Sequence, residues 1–167
     1  MAVREILILG DPRLYEKCKP VRREELAGLH STFEDLGNTL LDFRKYNGFG
    51  RAIAAPQIDV LKRLVYWHVD RPQVIINPVL SDLSQETFEL WDDCLSLPEL
   101  VVRVNRHRSC TVRFLDENWN EQVWQLSDDL SQLMQHEYDH LEGILATRRA
   151  VDSYSLAFRS TLVRQDI

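Results

Sequence analysis

The stretch QHEYDHLEG, Gln135–Gly143, sets two histidines four residues apart with a glutamate directly after the first. Upstream, Ser127 followed by Asp128 and Asp129 gives a helix start: a capping hydroxyl with acidic residues at the positive end of the dipole. Gly143 gives a stop, so the spacing predicts a helix from about Ser127 to Leu141. On such a helix His136 and His140 share a face and converge on one ion, and Leu133 and Ile144 extend that face. Glu137 falls seven residues after Leu130 and four before Leu141, pointing toward apolar neighbours where a carboxylate is hard to justify as a solvated group. The H-E-x-x-H pattern accounts for all three residues. Two imidazoles bind a metal, and the glutamate takes a proton from the metal's water.

Two histidines do not complete a hydrolytic site; a third protein ligand is needed, with a fourth position open to water. The protease extension H-E-x-x-H-x-x-G-x-x-H matches as far as Gly143 but puts Ala146 where its third histidine stands. No glutamate follows Glu142, so the third ligand is sought upstream. Cys94, in WDDCLSLP, is the best candidate. Its rival Cys110 alternates in phase with Val112 and Phe114 and reads as a core position. Cys18 sits in a charged segment without an evident constraint. A thiol beside Asp92 and Asp93 would be a poor thiolate, and a bound dication reverses that logic. A closed structural zinc site, with His68 or His107 as fourth ligand, is the competing arrangement; it leaves Glu137 without a role.

The rest of the chain sets the context. With 167 residues, 44% hydrophobic and 28% charged, it reads as one folded domain spanning 1–167 with its own core. A net charge of -6 argues against broad phosphate-driven binding, so DNA is not an expected partner. No apolar run approaches the roughly 20 residues of a membrane helix. MAVREILILGDP is too short and too soon interrupted for a signal peptide, and reads as an edge strand or turn. Three cysteines without framework spacing point to a reducing compartment, the cytoplasm.

Phe33, Leu36, Leu40 and Phe43 predict a helix over Ser31–Tyr46, stopped by Asn47-Gly48. The following NGFGRAIAAPQ is expected to be irregular. Lys62–Val69, Gln73–Leu80, Thr87–Leu90 and Val101–Val104 read as strands, and SCTVRFL and QVWQL as a hairpin around DENWN. A short helix is expected after Asp152. This order suggests an α+β fold rather than repeated βαβ units.

Three segments together resemble one family. NGFGRAIAAPQI is similar to the first motif of peptide deformylases, G-x-G-x-A-A-x-Q; WDDCLSLP resembles their second, E-G-C-L-S; and QHEYDHLEG matches their third, Q-H-E-x-D-H. They stand in the family's order, and ILGDPRLYEKCKPV is similar to its N-terminal segment, so the resemblance runs to about Ala150. It implies an α+β fold with small antiparallel or mixed sheets around a central metal-binding helix, and removal of the formyl group from N-formylmethionyl peptides. It further implies that Cys94, His136 and His140 ligate the metal, usually Fe²⁺, with Zn²⁺ (or Ni²⁺ or Co²⁺) as substitute. Glu137 would be the general base and acid, with Gln57 and the Leu95 backbone N–H holding the oxyanion. Gly50, Arg51, Ala52 and Leu133 would line the peptide site. A transient ribosome contact through the C-terminal helix is also implied, although SLAFRSTLVRQDI carries only two basic residues.

The departures fall near the substrate. Ala52 stands at the family's second motif-one glycine, where a Cβ would crowd a bound peptide strand. Arg51 replaces an aliphatic residue and is expected to pair with an acidic neighbour rather than reach an acidic substrate. Asp92-Asp93 replaces Glu-Gly. In the family the glutamate pairs with an arginine, for which Arg106 is the matching position. Asp139, between the histidines, either orients a neighbour or faces solvent. A deformylase-like peptide-binding module without turnover is the alternative function. An H-E-x-x-H protease is disfavoured by Ala146.

Overall fold

The computed structural model describes residues 2–162 of the chain. Among these residues eight strands form two antiparallel sheets. β1 (Ala52–Ala54), β2 (Leu64–His68), β3 (Pro72–Ser81), β6 (Ser109–Leu115) and β7 (Glu121–Ser127) make a five-stranded sheet in the order β1-β2-β3-β6-β7. β4 (Thr87–Cys94), β5 (Leu97–His107) and β8 (Leu156–Phe158) make a second sheet in the order β4-β5-β8. Among the described residues three α-helices complete the fold: α1 (Leu26–Asn47), α2 (Asp128–Leu141) and the short α3 (Arg159–Leu162). The expected α+β architecture is present, and β1 and β4 are the edge strands that matter below.

α2 is buried along most of its length. Met134 and Leu141 are fully enclosed in a core with Val65, Ile75, Val112 and Phe114. Phe33, Leu36 and Leu40 of α1 pack into a second cluster with Ile53, Leu64 and Ile76. α1 starts at Leu26 rather than Ser31, because Leu26 and Leu29 also pack on that cluster and the Arg22 amide donates to Glu25 Oε2 at the helix entry. Its stop is as expected: Gly48, at φ +76°, donates its amide to the Arg44 carbonyl.

Other expectations need correction. β1 arises inside the segment read as irregular, because Ala52, Ile53 and Ala54 find partners in Trp67, Tyr66 and Val65 of β2. β5 runs on to His107, paired residue by residue with β4, where the sequence suggested only Val101–Val104. The segment after Asp152 first forms β8 against Leu100–Val102 and turns helical only at Arg159. Residues 163–167 of the expected C-terminal helix lie outside the described residues. The N-terminal segment, read as an edge strand or turn, takes the second form. It is tied by Leu7 N–H to the Gln57 carbonyl and Leu9 N–H to the Ser96 carbonyl, then turns at Gly10. Ser127 occupies the N-cap of α2, yet its side chain makes no capping bond; Arg108 does that work, its carbonyl accepting from Asp128 N–H and its guanidinium pairing with Asp128 Oδ1 at 2.7 Å. Cys18, without an evident role in the sequence, is 3% exposed and donates its amide to the Leu141 carbonyl; burial pushes its thiol up to about 12.

Past α2 the chain makes a Schellman turn: Gly143 N–H donates to the His140 carbonyl and Ile144 N–H to that of Asp139. Gly143 sits at φ +69°, and a Cβ there would lie 2.4 Å from the Tyr15 carbonyl oxygen. Gly143→Ala is therefore expected to destabilise the fold by about 2 kcal/mol or more, combining the left-handed penalty with a backbone clash. Chemical denaturation checks this; a midpoint unchanged from wild type would contradict the assigned turn.

Candidate active site

Cys94 ends β4 at a register irregularity, and α2 supplies His136 and His140 from its inward face. All three are buried, and their ligating atoms lie within 4.8 Å of one another. Cys94 Sγ is 3.2 Å from His140 Nε2, which is 3.2 Å from His136 Nε2. Among the described residues no other histidine, cysteine or carboxylate joins this cluster. His107 is engaged at Nδ1 with the Ser84 carbonyl, and Cys110 sits in the core accepting from Ser131 Oγ.

The orientation of His136 is set by a buried chain of charges. Asp92 Oδ2 lies 2.9 Å from His136 Nδ1, which assigns the proton to Nδ1 and leaves the Nε2 lone pair facing the cluster. Arg106 Nη2 donates to the same Asp92 oxygen at 3.0 Å, and Gln132 Nε2 to the other at 2.8 Å. Arg106 Nη1 reaches on to Asp139 Oδ2 at 2.6 Å, and Arg149 grips Asp139 with two nitrogens at 2.6 and 3.1 Å. Asp139 thus faces inward to a neighbour rather than to solvent. Asp92 keeps the pairing with Arg106 despite being shorter than glutamate. Burial alone would raise the Asp92 carboxyl, but His136 and Arg106 outweigh it and hold it below its usual range.

The same forces split the two histidines. Burial would pull His136 down, yet the Asp92 and Cys94 partners raise it well above the usual imidazole value, so a dication would have to displace the Nε2 proton to take this ring as a ligand, leaving the Nδ1 proton on Asp92's side. Burial pulls His140 well below that value, and the neighbouring His136 pulls the same way, so its ring stays neutral with a lone pair available. Glu137 is 2% exposed; burial pushes its carboxyl up to about 7, and its Oε2 has no hydrogen-bond partner among the described residues. A soft thiolate with two imidazoles, converging, buried and backed by a carboxylate on one ring, suits iron or zinc and not magnesium or calcium. The residues therefore fit a resident transition-metal dication.

Gln57 is the next group inward. Its Oε1 accepts from the Ala54 amide at 2.9 Å, which turns Nε2 toward Ser96 Oγ at 3.1 Å and Cys94 Sγ at 3.7 Å. Leu95 directly follows the thiol, in the turn that joins β4 to β5. These groups open onto a cleft of about 630 Å³ whose walls are the Gly50–Ala52 edge, the Trp91–Asp93 edge and the α2 residues Asp129, Gln132, Leu133, His136 and Glu137. Gly50, at φ +112°, has its carbonyl held by Arg44 Nε at 2.7 Å. Ala52 is 1% exposed, packs into the main core and also lines the cleft. Arg51 pairs with Asp129 at 2.7 Å, the acidic neighbour the sequence called for without naming. Asp93, half exposed, faces Arg159 Nη1 at 3.5 Å. His68, weighed as a ligand, lines the cleft outside the ligand cluster.

A family model described as polypeptide deformylase matches residues 3–155. The chain is 35% identical over 161 residues to a peptide deformylase of Pseudothermotoga lettingae, covering 96% of this chain and 91% of that protein. It is 36% identical over 160 residues to peptide deformylase 2 of Clostridium perfringens, covering 93% and 98% respectively. Among solved structures, a Synechococcus elongatus peptide deformylase in complex with actinonin aligns with a TM-score of 0.83 at 28% identity, over 90% of this chain and 80% of that one.

Because Asp92 fixes the His136 ring, Asp92→Asn is expected to weaken binding of Zn²⁺ by about 10- to 100-fold, measured by competition against a chromophoric chelator. Affinity within about two-fold of wild type would remove Asp92 from the support of the centre.

Proposed function

The chain belongs to the polypeptide deformylase family, and from that premise we propose how its own residues remove the formyl group from the N-terminus of a newly made peptide. Cys94, His136 and His140 would hold one divalent ion, Fe²⁺ in the cell, with Zn²⁺, Ni²⁺ or Co²⁺ able to substitute. Bound there, the ion supplies positive charge that acidifies a water and polarises the formyl carbonyl.

Glu137 moves the proton. It takes one from the water as the water oxygen bonds to the formyl carbon, and delivers it to the amine nitrogen as the C–N bond breaks, leaving formate and a free N-terminus. A carboxyl pushed to about 7 by burial accepts and returns a proton near neutral pH with little bias either way. Gln57 Nε2 and the Leu95 N–H donate to the oxygen that gains charge in the tetrahedral species. Gly50, Arg51, Ala52 and Leu133 contact the peptide, which lies extended between the β1 and β4 edges as an added strand. The observation that carries this reading is Glu137: a buried carboxylate without a partner at Oε2, lining the cleft beside a converging Cys-His-His set.

Three free thiols support a reducing compartment, and we assign the protein to the cytoplasm as one domain over residues 1–167. Among the described residues no helix is long and apolar enough to cross a membrane. A transient ribosome contact rests on the family resemblance alone; Arg159, one of the two basic residues near the C-terminus, is turned to Asp93 and the Phe49 ring.

The test is formate release from formyl-Met-Ala-Ser by protein loaded with iron under anaerobic conditions. Wild type is expected to release formate, and Glu137→Gln to lose about 100-fold or more of the rate. Fully metallated, folded wild type that releases none would favour the peptide-binding alternative.

A further inference from the structure

Arg51 and Asp129 stand out because they join the two walls of the cleft and do little else. Arg51 comes from the β1 edge and Asp129 from the first turn of α2, and Nη1 meets Oδ2 at 2.7 Å. Both side chains remain open to solvent, 40% and 71% exposed, and exposed ion pairs contribute little to stability. The other cleft cation on that wall, Arg44, is already committed to the carbonyls of Gly50 and His68.

Their position relative to the reaction centre gives the pair a use. Asp129 precedes His136 by seven residues, about 10 Å along the helix axis at 1.5 Å per residue. Between them the cleft face of α2 presents Leu133 and Gln132, the latter with its amide donor committed to Asp92. In the binding mode proposed above, a peptide extended along the β1 edge with its formyl carbon at the centre would send its first side chain down this face. A long, unbranched side chain would then pass Leu133 and meet the Arg51–Asp129 ion pair, not hydrocarbon.

We propose that Arg51 and Asp129 form the specificity-determining end of the pocket for the first side chain, and that this pocket favours a long side chain ending in a hydrogen-bonding group over an isosteric hydrocarbon. The proposal rests on the deformylase reading above. A terminal amide both donates to Asp129 and accepts from Arg51, whereas a terminal methyl must cover both charges without replacing their water. Methionine, with a thioether that accepts weakly, falls between the two.

The experiment measures kcat/KM for formyl-Met-Ala-Ser and for the same peptide with norleucine, glutamine, lysine or glutamate first, using iron-loaded enzyme. In an Arg51→Leu/Asp129→Leu double variant the preference for glutamine over norleucine is expected to fall by about five-fold or more. Arg51→Leu leaves Asp129 unpaired and is expected to shift preference toward lysine; Asp129→Leu leaves Arg51 unpaired and shifts it toward glutamate, each by about five-fold or more. Loss of a surface ion pair that served only the fold would move melting temperature without these opposite shifts. Smaller or same-direction shifts overturn the pocket assignment while leaving the deformylase reading standing. Failure of wild type on all five peptides overturns the deformylase reading itself.

Discussion

α2 carries two histidines, two acids and two glutamines into the interior, and keeping that polar surface dry constrains the rest of the fold. A charge withdrawn from water must meet a partner. Here the partners form one continuous line: His136, Asp92, Arg106, Asp139, Arg149. Asp92 and Arg106 lie on the paired strands β4 and β5, while His136 and Asp139 lie on α2, so the line clamps the second sheet to the helix. The long register of β4 against β5 serves to deliver Asp92, Cys94 and Arg106 to the helix in one piece. Removing one member would strand a buried charge, which costs several kcal/mol in such networks.

The cleft follows from the same arrangement. α2 separates two sheets whose facing edges, β1 and β4, are not paired to each other. Unpaired edges invite added strands, and proteins usually blunt them. Two such edges beside the thiol and the histidines suit the proposed reaction at a peptide N-terminus, because main-chain bonds to an added strand would grip any sequence and side-chain pockets would do the selecting. The electrostatics divide along the cleft: deep groups are enclosed and shifted, as Glu137 is, while Arg51, Asp93 and Asp129 at the rim stay solvated.

What could be read from the chain divides by range. α2 and the β6–β7 hairpin were legible because their signals are local: helical spacing, acidic residues at the start, Gly143 at the end, alternation around a turn. The candidate ligands were legible because H-E-x-x-H is itself local and because only Cys94, of three cysteines, sat where neither core packing nor solvent explained it. β1 and β8 were not. Three-residue strands have no periodicity and exist because β2 and β5 offer them an edge. The start of α1 was missed for a similar reason, since Leu26 and Leu29 become helical by packing. Long-range pairs were beyond reach in a different way. The sequence called for an acidic partner for Arg51, but Asp129 lies 78 residues away, and the Asp139–Arg149 grip depends on the turn after α2. Cys18, placed under α2 by a backbone bond, left no sequence trace at all.

Everything proposed for the site depends on Cys94, His136 and His140 holding one dication together. Titrating metal-free protein with Co²⁺ tests it most directly, since cobalt reports its ligands by colour. Saturation is expected at one equivalent, with a thiolate-to-cobalt charge-transfer band that vanishes in Cys94→Ser and persists in Cys18→Ser and Cys110→Ser. Binding without that band, or a band that survives the loss of Cys94, would contradict it.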